Sequence, residues 1–187
     1  NNFVINQYIY KTIDFDPLQA LMPITKLVDV PSVLFVNSSV PAVTFKEFAA
    51  YAKSNVGKLN FGSPGSGTAP HLSGYALSNA IGAEMTHIPY KGPAPAMQDV
   101  MGGSVPCGFL ATTVVVPQVR SGKLKAFAVS SATRSVMAPE LPTAREAGVP
   151  GYDATFGEIV LAPEGTPPAI LRAWQEELAK AFQDPAV

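Results

Sequence analysis

Charge is what this sequence of 187 residues has least of: Lys, Arg, Asp and Glu together make up 14% of it and balance to a net charge of -1. No basic stripe is available to track a phosphate backbone, which argues against nucleic acid as a partner. Cysteine occurs once, at Cys107, so neither an intrachain disulfide nor a multi-cysteine metal site can form within the chain. In the apolar context Val105-Pro106-Cys107-Gly108-Phe109 that thiol reads as a small buried hydrophobe rather than a nucleophile. Long apolar runs are also missing. Ser32 to Val36 and Ala111 to Val116 are the longest, far short of the roughly 20 residues a membrane-spanning helix needs. The chain begins Asn1-Asn2-Phe3, with no initiator methionine, basic n-region or signal core, so any targeting segment is expected to have been removed or to lie upstream.

What is present is an apolar, core-forming composition, 47% hydrophobic, in a chain long enough for one large domain or two small lobes. One theme recurs along it: a short run of β-formers, a Gly or Pro turn, then a helical pattern, which means α/β. A short helix is expected around Asn6 to Lys11. Ser32-Val33-Leu34-Phe35-Val36 reads as a buried strand. Thr44 stands as a helix N-cap with Glu47 three residues on, and Gly57 closes that helix. Further strands are expected at Lys58 to Phe61, Met85 to Pro89, Val105 to Phe109, Lys125 to Ser130 and Phe156 to Ala162. Helices are expected over Ala69 to Ile81, Ala96 to Met101, Val114 to Arg120 and Ala169 to about Gln183. In the last of these Ile170, Leu171, Trp174, Leu178 and Phe182 recur at helical spacing, which places Trp174 in a core.

The segment richest in chemistry is Phe61-Gly62-Ser63-Pro64-Gly65-Ser66-Gly67-Thr68-Ala69-Pro70-His71. Glycines after a strand let the backbone turn sharply and approach a ligand, and the helix that follows presents unpaired N–H groups and a partial positive charge suited to an anion. Ser63, Ser66 and Thr68 add hydroxyl donors. From spacing alone, a carboxylate-sized cradle and an ordinary βα turn with helix-capping hydroxyls both fit. No Gly-Lys-Ser/Thr follows, so this is not a phosphate-binding P-loop. The unit Ile88-Pro89-Tyr90-Lys91-Gly92-Pro93-Ala94-Pro95-Ala96 repeats the logic, with Gly92 permitting close approach, Pro93 in the first helical turn and Lys91 either a cation at the rim or a solvated surface charge. Signs of catalysis are thin. His71 and His87 lack metal-ligand spacing, and no Gly-x-Ser-x-Gly elbow is present. Each histidine is expected to pack locally with satisfied nitrogens, and no cofactor or metal is expected. The enzyme-class alternative is a hydrolase or transferase using Ser66 or Ser63 with His71.

Leu59 to Leu72 and His87 to Ala96 resemble the Bug or TctC family of periplasmic receptors. Ser121-Gly122-Lys123-Leu124-Lys125-Ala126-Phe127-Ala128-Val129, Leu141-Pro142-Thr143-Ala144-Arg145-Glu146-Ala147-Gly148, Gly151-Tyr152 and Leu161 to Pro167 extend the likeness in order over essentially the whole chain. The resemblance implies a type II periplasmic binding protein fold, two α/β lobes joined by crossover strands, with residues 1–38 in part of lobe 1, 39–155 forming lobe 2 and 156–187 returning to lobe 1. It implies a non-enzymatic, exported receptor that closes on a small organic carboxylate, whether dicarboxylate, tricarboxylate, aromatic acid or acidic amino acid. Such a receptor delivers its ligand to the membrane permease of a tripartite tricarboxylate transporter; a sensor read by a signalling partner is the alternative. Carried over by position, it nominates Ser63, Gly65, Ser66, Gly67, Thr68, Lys91, Gly92, Ala94, the Phe109 region and Asn2 as ligand contacts. Full members extend further at both ends, so the chain is expected to be truncated. Many also carry Phe-Asp-Asn where this chain reads Phe109-Leu110-Ala111, which suggests a less polar pocket wall and a less polar or aromatic acid.

Overall fold

The computed structural model describes residues 2–9, 11–13 and 16–184, leaving aside the side chains of residues 2–4 and 17. In chain order the elements are α1 (Asn2–Ile9), α2 (Pro17–Ala20), β1 (Leu21–Asp29), β2 (Ser32–Asn37), α3 (Phe45–Ser54), β3 (Asn60–Ser63) and α4 (Ala69–Ala80). There follow β4 (Thr86–Pro89), α5 (Pro93–Gly102), β5 (Cys107–Ala111), α6 (Thr112–Arg120), β6 (Leu124–Val129), β7 (Gly157–Pro163) and α7 (Pro168–Ala181). They group into two compact units: Val30–Phe156, and the flanking segments Asn1–Asp29 with Gly157–Val187.

The larger unit is built on a five-stranded sheet of order β4-β3-β5-β2-β6. β3 runs parallel to both β4 and β5, whereas β2 runs antiparallel to its neighbours β5 and β6. All six residues of β2 are buried. Side chains alternate across a strand, so Leu34 and Val36 enter one apolar cluster with α3 and α4, while Val33 and Phe35 enter a second with α5 and α6. A strand covered on both faces is continuously apolar, which is why Ser32 to Val36 shows no alternation in sequence.

The division between the two units falls after Asp29. β2 is the reason: Val33 and Leu34 are each paired on both sides, to β5 and to β6, which fixes the strand inside the larger sheet.

Described by itself, the smaller unit is an antiparallel pair, β1 with β7, whose ladder shifts register between Pro23 and Thr25 and between Lys26 and Val28. α7 packs on β1 yet has no buried residue. Trp174, placed in a core by its spacing, is 55% exposed, because a two-stranded sheet is the surface this unit offers the helix. The first helix spans Asn2–Ile9 rather than Asn6 to Lys11. The nine-residue strand β1 was not anticipated.

Candidate functional site

Because β3, β4 and β5 share a direction, their C-terminal ends lie along one edge of the sheet, and each opens into a helix: α4 after Thr68, α5 after Gly92 and α6 after Ala111. Ligands of open α/β sheets bind outside the carboxyl ends of the strands, where helix N-termini and short loops gather. The register puts Ser63 beside Pro89, and Gly62 beside Gly108. The two Gly-containing turns therefore start level, and they are joined directly, Tyr90 N–H donating to Ser63 O at 3.0 Å and Gly92 N–H to Pro64 O at 3.1 Å.

Within the first turn almost every polar group has a partner. Gly65 N–H donates to Ser63 Oγ at 3.3 Å, Thr68 Oγ1 donates to Gly65 O at 2.7 Å, and Gly67 N–H donates to His71 Nδ1 at 3.1 Å. Gly65 and Gly67 hold φ values of +148° and +75°, a conformation that a Cβ disfavours. Gly92, the N-cap of α5, sits at φ +113° for the same reason. Ser66 is the exception. It is exposed, and among the described residues neither its N–H nor its hydroxyl has a partner in the protein. Pro70 has no N–H, and Thr68 does not cap α4 with its side chain, so the N–H groups of Ala69 and His71 in the first turn are also open. Neutral donors at a helix N-terminus form an anion cradle without a fixed cation.

Behind the turn lie two histidines. His71 and His87 stack with ring centroids 3.9 Å apart, and Phe61 lies 5.0 Å from His87. His87 Nε2 is 2.7 Å from Ser63 Oγ. Burial lowers the pKa of His71, and burial together with the neighbouring His71 lowers that of His87 to about 4, so both rings are neutral near pH 7. Each was expected to pack locally. The pairing of rings 16 positions apart, and of Ser63 with His87 across 24, leaves no local sequence signal. The hydrolase alternative fails on geometry: Ser63 is fully buried and pairs with His87, not His71, while Ser66 pairs with neither. No group of three or more His, Cys, Asp or Glu among the described residues could hold a metal.

Of the remaining expected contacts, Lys91 is exposed between the tied ends Tyr90 and Gly92, and Ala94 is exposed in the first turn of α5. Phe109 is 2% exposed, its ring edge-on to Phe61 at 5.7 Å, so it supports the floor of the turn from within the core. Leu110 is fully buried in the α5 and α6 cluster and forms no pocket wall; Ala111, at the strand end, is half-buried. The side chain of Asn2, in the smaller unit, lies outside the described residues. Two cavities of about 460 and 430 Å³ lie around Phe45 and Lys46 and are not lined by the turn residues. Among the described residues no helix is long and apolar enough to cross a membrane.

Known proteins resemble this chain in sequence and in fold. The family model described as tripartite tricarboxylate transporter family receptor matches residues 1–187. The periplasmic binding protein BugD is 36% identical with a TM-score of 0.88, covering 99% of this chain and 62% of BugD. A protein of R. palustris solved with adipate is 31% identical, TM-score 0.87, covering 95% and 59%. MatC from Rhodopseudomonas palustris, with bound malate, is 28% identical, TM-score 0.83, covering 94% and 60%. The chain spans about half the length of the curated relatives it matches, 52% and 54% for two of them. By sequence and by fold, the chain belongs to the tripartite tricarboxylate transporter family of receptors, solute-binding proteins rather than enzymes.

Proposed function

We propose that this chain serves in a periplasmic receptor that captures a small organic carboxylate at the Ser63–Thr68 turn and presents it to the permease of a tripartite tricarboxylate transporter. The observation that carries the reading is the exposed Ser66, whose N–H and hydroxyl are open at the start of α4, beside a second helix N-terminus at Gly92. A carboxylate fits: its oxygens accept several hydrogen bonds, and the helix terminus supplies favourable partial charge. Lys91 lies exposed at the rim rather than as a buried partner. Two relatives, solved with adipate and with malate, support a dicarboxylate over an aromatic acid. Gly65, Ser66 and Thr68, with Lys91, Gly92 and Ala94 across the junction, are the nominated contacts, and the buried Ser63 and Gly67 support the turn beneath them.

The test is a thermal-shift panel of dicarboxylates, tricarboxylates, acidic amino acids and benzoate-like acids. Binding to the folded form alone raises the melting temperature by mass action. Shifts confined to a few dicarboxylates are expected, and their loss in Ser66→Ala and Ser66→Pro is expected to be graded, since the first removes the hydroxyl and the second also the N–H. No shift with any acid sinks the reading.

A further inference from the structure

We propose that His71 and His87 are positioning residues of the ligand-binding turn: as a stacked pair they hold its two ends and thereby determine that, within residues 63–68, Ser66 keeps its donors free. The role assigned to the ligand rests on the receptor reading above; the holding of the turn does not.

The two rings reach different ends of one short loop. His71 Nδ1 accepts from Gly67 N–H at 3.1 Å, so at that bond the nitrogen is unprotonated and the ring proton resides on Nε2. His87 Nε2 meets Ser63 Oγ at 2.7 Å, and Ser63 Oγ in turn accepts from Gly65 N–H at 3.3 Å and lies 3.2 Å from Gly65 O. Thr68 Oγ1 completes the chain by donating to that same carbonyl. Ser63, Gly65, Gly67 and Thr68 are thus linked to one another or to a ring, and Pro64 is held by Gly92 N–H. What remains is the vertex, Ser66. Stacking at 3.9 Å couples the two posts, because neither ring can swing without losing its neighbour. A free turn of this composition, with three glycines among residues 62–67, would sample many conformations, and ordering it on binding would weaken affinity. Preorganisation by the rings removes that cost. Neutral rings are required, since a protonated His71 Nδ1 would meet Gly67 N–H donor to donor.

Side-chain isosteres separate positioning from packing. Asn places an oxygen where His Nδ1 lies, and Gln places a polar atom near His Nε2; Phe keeps the ring and its stack but offers no acceptor. The full chain is compared as wild type, His71→Asn, His71→Phe, His87→Gln, His87→Phe and Ser63→Ala. Each is read by amide hydrogen exchange over residues 63–68, and by titration with adipate and with malate. The expected result is exchange about tenfold faster in both Phe variants and in Ser63→Ala, with the Asn and Gln variants near wild type, on the scale of one lost hydrogen bond. Affinity for whichever of the two acids binds is expected to follow the same order. Phe variants indistinguishable from wild type in exchange overturn the proposal. If the Phe variants do not fold, Ser63→Ala decides alone: unchanged exchange overturns it. Should neither acid bind the wild type while exchange follows the expected order, the positioning role stands and the dicarboxylate assignment falls.

Discussion

Gly74 shows how tightly the floor of the candidate site is packed. A Cβ built there would lie 2.3 Å from Phe61 Cε2 and 2.9 Å from Phe109 Cδ2, and both rings are themselves buried at 2% exposure or less. Neither ring can yield without displacing the strand it sits on. Gly74→Ala is expected to destabilise the chain by about 1 to 3 kcal/mol, the usual cost of overpacking, read from urea melts. A pH dependence belongs to the same neighbourhood. His87 has an ordinary value of 6.5 and is held to about 4 in the folded chain by burial first and by His71 second. The unfolded chain therefore binds the proton more readily, so this group's contribution is intact above about 6.5 and is lost as pH falls toward 4. Melting temperature should decline across that window, and His87→Gln should decline less steeply; identical slopes would show that other groups carry the effect. At this scale the sequence revealed the Gly-Ser-Gly-Thr turn, because small residues after a strand have a local meaning. It did not reveal the Ser63 to His87 bond, which is made in space across neighbouring strands β3 and β4.

Elements were legible where their ends carry their own chemistry. Thr44 caps α3 as expected, its Oγ1 accepting from Glu47 N–H at 3.2 Å, while Glu47 Oε2 reaches back to Val43 N–H at 2.7 Å, one residue earlier than the reciprocal bond of a capping box. Thr44→Ala should cost about 1 kcal/mol, checked by the denaturation midpoint. A capping-box pair also occurs at Thr143 and Glu146, with bonds of 2.9 and 3.1 Å, in a segment of turns rather than a helix. The motif there stabilises the turn that positions Ala144, whose N–H donates to Val129 O at the edge of the sheet. β1 was missed because Pro23 interrupts its β-formers and its burial alternates irregularly around two register shifts. A helix boundary at Thr112 rather than Val114 has a tertiary cause: Thr112 donates both its N–H and its hydroxyl to Pro31 O, a contact 81 positions away.

At the scale of the whole chain, burial is divided unevenly. Among the described residues every buried apolar side chain except Ala162 falls in Val30–Phe156, whereas α7 and its C-cap expose Ile170, Trp174 and Phe182 by 46% or more. The apolar periodicity of α7 was legible; what covers it was not, because periodicity states which face is apolar and nothing about how much surface the rest of a unit supplies. The consequence is measurable with a single chromophore. Trp174 is the sole tryptophan and sits in the smaller unit, while most of the helices and strands belong to the larger one. Two-state unfolding requires that different probes report one transition. Here indole fluorescence and far-UV circular dichroism are expected to disagree: Trp174 should emit as a solvated indole and quench readily with acrylamide before any melting, and the main cooperative loss of ellipticity should pass with little change in its emission. A fragment of residues 30–156 should melt within a few degrees of the full chain, since it keeps both apolar clusters. A blue-shifted Trp174 that is exposed in the same transition as the ellipticity loss, together with an unfolded fragment, would mean that the smaller unit is needed for the sheet that carries Ser63 and Ser66.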